Sequence, residues 1–339
     1  MSLPEGGLSS VRIEQDLVLG GDLVATQLWA ARAPGRSAHR VFIRGHAGSV
    51  YVSDGWGVNY ASIRFRRLDA MTGEEAASFR SGTAVRTFAY RDTTDHLLIA
   101  TDTKLFELDS LTLSERRRWN TRIPRYPDSL AVRGDHVVVA NWLAPQVGLV
   151  DLATGRVRRR AAPGMTKILD GAGSPLLVGG LDGDVVSIDP ISGRTEQILA
   201  TPPALDAGLS PDRRTLWLSV GVRATVTSSG MRLGRPTREL RRYALDGSEP
   251  AETYRAPHPF RNVAIGTSAL WLVGERLVDV PFPLGTGPAR MWSPPEGETI
   301  VDGDPDSGLV MTLLPGKRDP DARLTCFRAV EPDSRWQDH

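Results

Sequence analysis

The sequence holds one cysteine, Cys326, among its 339 residues. A single thiol excludes an internal disulfide, so a reducing compartment is the expected setting. No stretch approaches the ~18–20 uninterrupted apolar residues of a membrane-spanning helix, although 40% of the residues are hydrophobic. The opening Met1-Ser2-Leu3-Pro4-Glu5-Gly6-Gly7 has neither the basic start nor the apolar stretch of a signal peptide. If that is the natural start, a cytoplasmic protein is expected, without membrane attachment. Net charge is also nearly absent, with 41 basic residues against 40 acidic ones. A general nucleic-acid binder carries a clear basic excess, so that role is not expected. Turn formers are abundant instead: 34 glycines and 24 prolines point to many turns and little helix.

A phrase recurs through the chain: an apolar strand, an Asp, then a turn closed by Thr/Ser-Gly. It reads Leu68-Asp69-Ala70-Met71-Thr72-Gly73, Leu108-Asp109-Ser110-Leu111-Thr112, Val150-Asp151-Leu152-Ala153-Thr154-Gly155 and Ile188-Asp189-Pro190-Ile191-Ser192-Gly193. A looser copy is Leu245-Asp246-Gly247, and a degenerate one is Val278-Asp279-Val280 before Gly285. From Asp69 to Asp279 the steps are 40, 42, 38, 57 and 33 residues. A period near ~40–45 is that of a four-stranded propeller blade. The Asp accepts hydrogen bonds from the amides of the following turn, and Gly supplies the positive φ that closes it.

Short β-branched runs between turns, such as Ser129–Val132 with His136–Ala140, read as the inner strands of each blade. The expected fold is all-β: a single closed β-propeller over 1–339, with an ordered core at about 9–330 and short flexible termini. Seven four-stranded blades fit best, at 39–80, 85–122, 127–163, 165–201, 204–255, 260–293 and 298–330; six or eight remain open. The last shows three strands, so an N-terminal strand (Val11–Glu14 or Leu23–Trp29) is expected to complete it and remove the exposed edges.

Val137 to Asn141 through Val147 to Val157 resembles the YVTN-type propeller repeat, and Leu68 to Glu75 resembles the quinoprotein-type repeat. The resemblance implies architecture only, because these motifs occur in proteins of unrelated function. Quinoprotein repeats carry a docking Trp shortly after the Gly, where this chain has Ala77 and Phe79. No calcium- and quinone-binding set is recognisable, so no cofactor is expected.

Aligning the blades places His39 or Arg40, Arg86, Asp128, Lys167, Asp206, Arg261 or Asn262, and Glu298 at the mouth of the central channel. With His258 these include candidate acid and base groups (Asp128, Asp206, Glu298, His258, Lys167) and anion-binding groups. An ordinary polar channel lining fits the same residues. A loop with Trp56, Asn59 and Tyr60, and a second with Asn141 and Trp142, offer rings and amides for a small ligand; the Trp residues also fit as covers of blade edges. One repeat is stretched by an insertion at about 222–239 carrying Arg223, Arg232, Arg235 and Arg238, an arm for an acidic partner or a solvated hairpin. Arg116–Arg118 and Arg156–Arg160 read as solvated rim. The histidines show no metal-binding spacing, and Asp302-Gly303-Asp304-Pro305-Asp306 lacks the glycine and twelfth-position acid of a calcium loop, so it reads as a turn and no metal is expected. Cys326 falls in a strand and is expected to be buried.

Two functions follow. One is a binding module presenting funnel and arm to a small ligand, a peptide or a protein. The other is a propeller enzyme of lyase, lactonase or cyclase type.

Overall fold

The computed structural model describes residues 13–32, 40–44, 48–53, 64–83, 85–91, 95–120, 127–141, 145–164, 166–227, 230–315 and 322–330. Among these there are strands and turns but no helix, and hence none long and apolar enough to cross a membrane.

The chain starts with β1 (Ile13–Asp16), β2 (Leu19–Asp22) and β3 (Val24–Arg32). The first sheet follows as β4 (Arg40–Arg44), β5 (Ser49–Ser53), β6 (Arg64–Asp69) and β7 (Glu75–Arg80). The second is β8 (Val85–Tyr90), β9 (His96–Thr101), β10 (Leu105–Asp109) and β11 (Glu115–Trp119). The third is β12 (Pro127–Arg133), β13 (His136–Asn141), β14 (Gln146–Asp151) and β15 (Val157–Ala161). The fourth is β16 (Lys167–Leu169), β17 (Leu176–Val178), β18 (Val185–Ile188) and β19 (Thr195–Leu199). Each is an antiparallel meander in sequence order.

The next two units share a strand. The fifth comprises β20 (Ala204–Leu209), β21 (Thr215–Val220), then, past the hairpin β22 (Ala224–Thr227) and β23 (Gly230–Leu233), β24 (Thr237–Ala244) and the first half of β25 (Glu252–Ile265). The second half of β25 opens the sixth, with β26 (Ala269–Gly274), β27 (Leu277–Pro281) and β28 (Ala289–Trp292). Parallel pairing of β1 to β25 and of β2 to β28 extends this into a nine-stranded sheet. The last sheet is β29 (Thr299–Asp304), β30 (Leu309–Leu314), β31 (Arg323–Val330) and, outermost, β3 from the other end of the chain.

The core lies between neighbouring sheets. Leu98, Leu105 and Trp119 of the second pack on Val132, Val137 and Val150 of the third. Trp29, Met311 and Leu324 of the last pack on Val50, Val52 and Leu68 of the first. Arginines fasten the same junctions: Arg67, Arg117 and Arg158 each donate to a turn carbonyl of the next sheet, that of Leu111, Ala153 and Ile191. Arg116–Arg118, Arg156, Arg159 and Arg160 are exposed, as a solvated rim requires, and Arg117 and Arg158 also join sheets. An outer-strand arginine reaches sideways because its stem lies along apolar surface while its guanidinium finds an acceptor.

The turn chemistry is that expected of the phrase. Asp69 Oδ1 accepts from the amides of Met71 (2.9 Å) and Thr72 (2.8 Å), and Asp109, Asp151 and Asp189 repeat the pattern. Gly73, Gly155 and Gly193 close their turns at φ near 72°. Leu113 takes this place in the second sheet at φ 53°, its side chain buried. Asp279 departs from expectation. It is a buried strand residue holding Trp271 Nε1 (3.0 Å) and Arg290 Nε (2.9 Å), not a turn acid.

Thr72 and Thr112 amides chiefly hold Asp69 and Asp109 below the ordinary value of 3.8, and the hydroxyls of Thr154, Ser192 and Ser248 chiefly do so for Asp151, Asp189 and Asp246. A carboxyl whose pKa falls on folding stabilises the fold while ionised. Its contribution is complete above the ordinary value and is lost as the pH falls through the lowered one. The urea midpoint is expected to drop when the pH is taken from about 5 to about 3, and to drop less in Asp69→Asn/Asp109→Asn. A midpoint with the same pH slope in both proteins would contradict this assignment.

Candidate functional site

The first strands of five units share a local irregularity that re-aims their side chains. β8, β12, β20 and β29 each carry a register shift near their first residues, at Arg86, Asp128, Leu205 and Val301, and β25 carries one at Arg261, where it begins to pair with β26. A bulge adds one unpaired residue and re-aims the side chains around it. Asp128, Lys167, Asp206, Arg223, Asn262 and Asp302 line one cavity of about 290 Å³. Four of these, Asp128, Lys167, Asp206 and Asn262, are mouth positions expected from the sequence, brought together from the third, fourth, fifth and sixth units.

Their charges are spent on one another. Lys167 Nζ donates to Asp206 Oδ1, and the other oxygen of Asp206 accepts the amide of Val263 at 3.0 Å. One carboxylate thus ties the fourth, fifth and sixth units. Ser219 Oγ adds a second tie, donating to the Arg261 carbonyl at 2.7 Å and accepting from the amide of Asp206 at 2.9 Å. Arg223, at the base of the insertion, reaches Asp128 in the third sheet, while its own amide donates to Gly180 of the fourth (2.7 Å). The arm's root is therefore fastened over the cavity; its β22–β23 hairpin is a two-stranded antiparallel sheet. Arg223 was expected as a partner-gripping residue, whereas here its guanidinium is turned inward. Asp302, expected in a turn, lies in β29 on the cavity wall.

The other mouth candidates lie away from this cavity. Arg86 is 3% exposed and makes a two-point contact with Asp102, at 2.8 and 3.0 Å. Glu298 is buried and accepts from Thr312, Arg323 (2.9 Å) and Thr325 within the last sheet. A fully satisfied carboxylate of this kind braces strands rather than moving protons. Arg261 is half-buried, and burial lowers its pKa. Cys326 is buried, which pushes its thiol up to about 12, a poor nucleophile. His39, Trp56, Asn59, Tyr60 and Trp142 lie outside the described residues, as do the side chains of Arg40, Asn141 and Arg232. Among the described residues no group of three or more His, Cys, Asp or Glu could hold a metal ion.

A second cluster lies where β25 crosses from the fifth unit to the sixth. His258 Nε2 is 3.4 Å from Arg276 Nη1. Burial, then Arg276 and Arg238, hold its pKa below the ordinary histidine value of 6.5. Arg238 and Arg255 line an adjoining open groove of about 590 Å³. Sequence reasoning had placed His258 near the mouth without its arginine neighbours, which come from β24 and from the β26–β27 turn.

A docking tryptophan, not found after the turn glycine, comes instead from the sheet before. Trp29 Nε1 donates to the Ala70 carbonyl and Trp119 Nε1 to the Leu152 carbonyl, both at 2.9 Å. A Cβ on Gly73 would fall 2.4 Å from Trp29 Cδ2, so the glycine gives the indole its seat as well as closing the turn.

No protein-family model matches the chain, and no curated protein matches it. Among solved structures, the chain is similar to the β-propeller domain of Cps50 (Swd1) from Myceliophteria thermophila. The TM-score is 0.60 at 15% identity, covering 91% of this chain and 100% of that one. At that identity the likeness speaks to architecture and not to chemistry. The protein has a β-propeller fold.

Proposed function

We propose that the chain forms one closed propeller domain of seven blades and serves as a protein-interaction scaffold, using the face that bears the channel mouth and the insertion. The packing of the last sheet on the first supports closure: Trp29 bonds Ala70, and Arg328 Nη2 approaches Met71 Sδ (3.0 Å). One observation carries the functional reading. The cavity's acids and bases pair with each other across blades, as with Lys167–Asp206 and Arg223–Asp128, and so serve cohesion. Around the insertion, by contrast, Arg235, Arg238 and Arg276 are exposed, and no carboxylate among the described residues pairs with them. Exposed arginines at a rim favour and steer association with a partner of opposite charge.

The test is comparative capture. Wild type and Arg235→Glu/Arg238→Glu/Arg276→Glu are used as bait in extracts of the source cell, with cross-linking and mass spectrometry as readout. The variant is expected to melt within about 3 °C of wild type, since exposed substitutions cost little, and to lose the proteins that wild type captures. An unchanged set of captured proteins would overturn the reading.

A further inference from the structure

We infer that the Arg238–His258–Arg276 cluster binds the carboxylate side chains of an acidic peptide segment of a partner protein. The inference rests on the scaffold reading and gives it a chemistry. Three observations meet here. First, His258 sits against the Arg276 guanidinium, and Arg238 is near enough to act on the same ring. Like charges gather only at a cost, and in this cluster no carboxylate offsets it. Second, the acids nearby are committed or few. Glu239 is held by Arg241 Nε at 2.6 Å. Asp16 lies beside Arg255 in the β1–β25 register, and Glu275 precedes Arg276 in the turn. With Glu239 held by Arg241, Arg238 and Arg276 keep charges that no carboxylate among the described residues pairs. Third, Arg238 also lines an open groove with Arg255, Thr253 and Gln15, whose two acids, Asp16 and Glu239, are set beside Arg255 and Arg241. Its volume of about 590 Å³ exceeds that of a single small anion.

The chemistry follows from the donors. A guanidinium presents a planar fork that matches a carboxylate at two points. Because the Arg276 guanidinium can only donate, His258 Nε2 accepts in this contact, and the ring proton sits on Nδ1 as a further donor. The groove wall adds the Thr237 and Thr253 hydroxyls beside Tyr254. These groups favour short acidic side chains spaced along an extended backbone.

The probe is fluorescein-labelled hexaglutamate, followed by anisotropy with the full-length protein. Binding is expected, and it should weaken as salt is raised. Arg238→Ala and Arg276→Ala should each weaken it by about fivefold, the size of an exposed charge pair, and His258→Ala should also weaken it. Arg194→Ala, an equal charge change at an exposed turn of the fourth sheet, should stay within about twofold. The inference is overturned if hexaglutamate does not bind, if Arg194→Ala weakens it as much as the cluster variants do, or if an oligothymidylate of equal charge binds more tightly with the same dependence on Arg238 and Arg276. Its failure is separable from that of the scaffold reading. If hexaglutamate ignores the cluster while the triple glutamate variant still loses captured proteins, the acidic-peptide chemistry falls and the scaffold stands.

Discussion

Deleting residues 1–32 is expected to leave a protein that aggregates, and that regains a cooperative melt when a peptide spanning residues 23–32 is added. β3 pairs with β31 from Val24–Val330 to Arg32–Arg323, so its removal bares the whole edge of β31. An unpaired edge of eight residues is a template for other chains. Removal also takes away Trp29, which is 7% exposed and sits among Val50, Leu68, Met311 and Leu324. Truncating a buried Trp costs about 3–5 kcal/mol, and here the Ala70 carbonyl loses its donor as well. Trp29→Ala alone is therefore expected to lower the urea midpoint by an amount equivalent to about 3–5 kcal/mol. Gly73→Ala should act on the same contact from the other side, since its φ of 72° and the overlying indole both oppose a methyl group. A deletion protein that stays monomeric and melts like wild type would refute this account of the last sheet.

The second large effect is expected at Asp206. Its carboxylate joins Lys167 and the Val263 amide, and its side chain is 12% exposed. Asp206→Ala removes both acceptors at once and strands an ammonium in the cavity. Breaking a buried pair by deleting one partner costs about 3–5 kcal/mol; Lys167 is 29% exposed and can find water, so about 2–3 kcal/mol is expected here. Asp206→Asn keeps an acceptor for Val263 and should recover part of the loss. Lys167→Met/Asp206→Ala should be more stable than Asp206→Ala, because no charge is then left behind. Denaturation of wild type, Asp206→Ala, Lys167→Met and Lys167→Met/Asp206→Ala closes the cycle. If Asp206→Ala is as stable as wild type, the carboxylate is not the inter-blade tie described, and a role toward a ligand becomes the better account.

The sequence was most informative where a few neighbouring residues determine the backbone. The Asp-x-x-Thr/Ser-Gly phrase needs only its own amides and hydroxyls, so Asp69, Asp109, Asp151 and Asp189 could be read directly. Leu113 shows the limit. Its positive φ is offset by burial in a core built from other parts of the chain. Asp279 shows the reverse, an Asp in the expected order that tertiary contacts with Trp271 and Arg290 have claimed for a strand. The shared cavity of Asp128, Lys167, Asp206 and Asn262 could be read in part, because these residues follow from the position of the first strand of each unit. Arg86 and Glu298 occupy comparable positions but found partners, Asp102 and Thr312, that no spacing rule reveals. The docking of Trp29 and Trp119 was missed because donor and acceptor lie 41 and 33 residues apart in adjacent sheets. The parallel pairing of β1 and β2 left no periodic signal in Ile13–Asp16 or Leu19–Asp22 at all.

The unbroken strand β25 has a consequence for recognition. Arg238 and His258 lie in β24 and β25, and Arg276 in the two-residue turn between β26 and β27, all of one sheet that passes from the fifth unit to the sixth through Glu252–Ile265 without a loop. Their backbone positions are therefore fixed before any partner arrives. Little freedom remains to be lost on docking beyond that of the arginine side chains, at about 0.5–1.5 kcal/mol for each one immobilised. Such a site behaves as a preset template, and differences in affinity among acidic partners should appear in how slowly they leave rather than how fast they arrive.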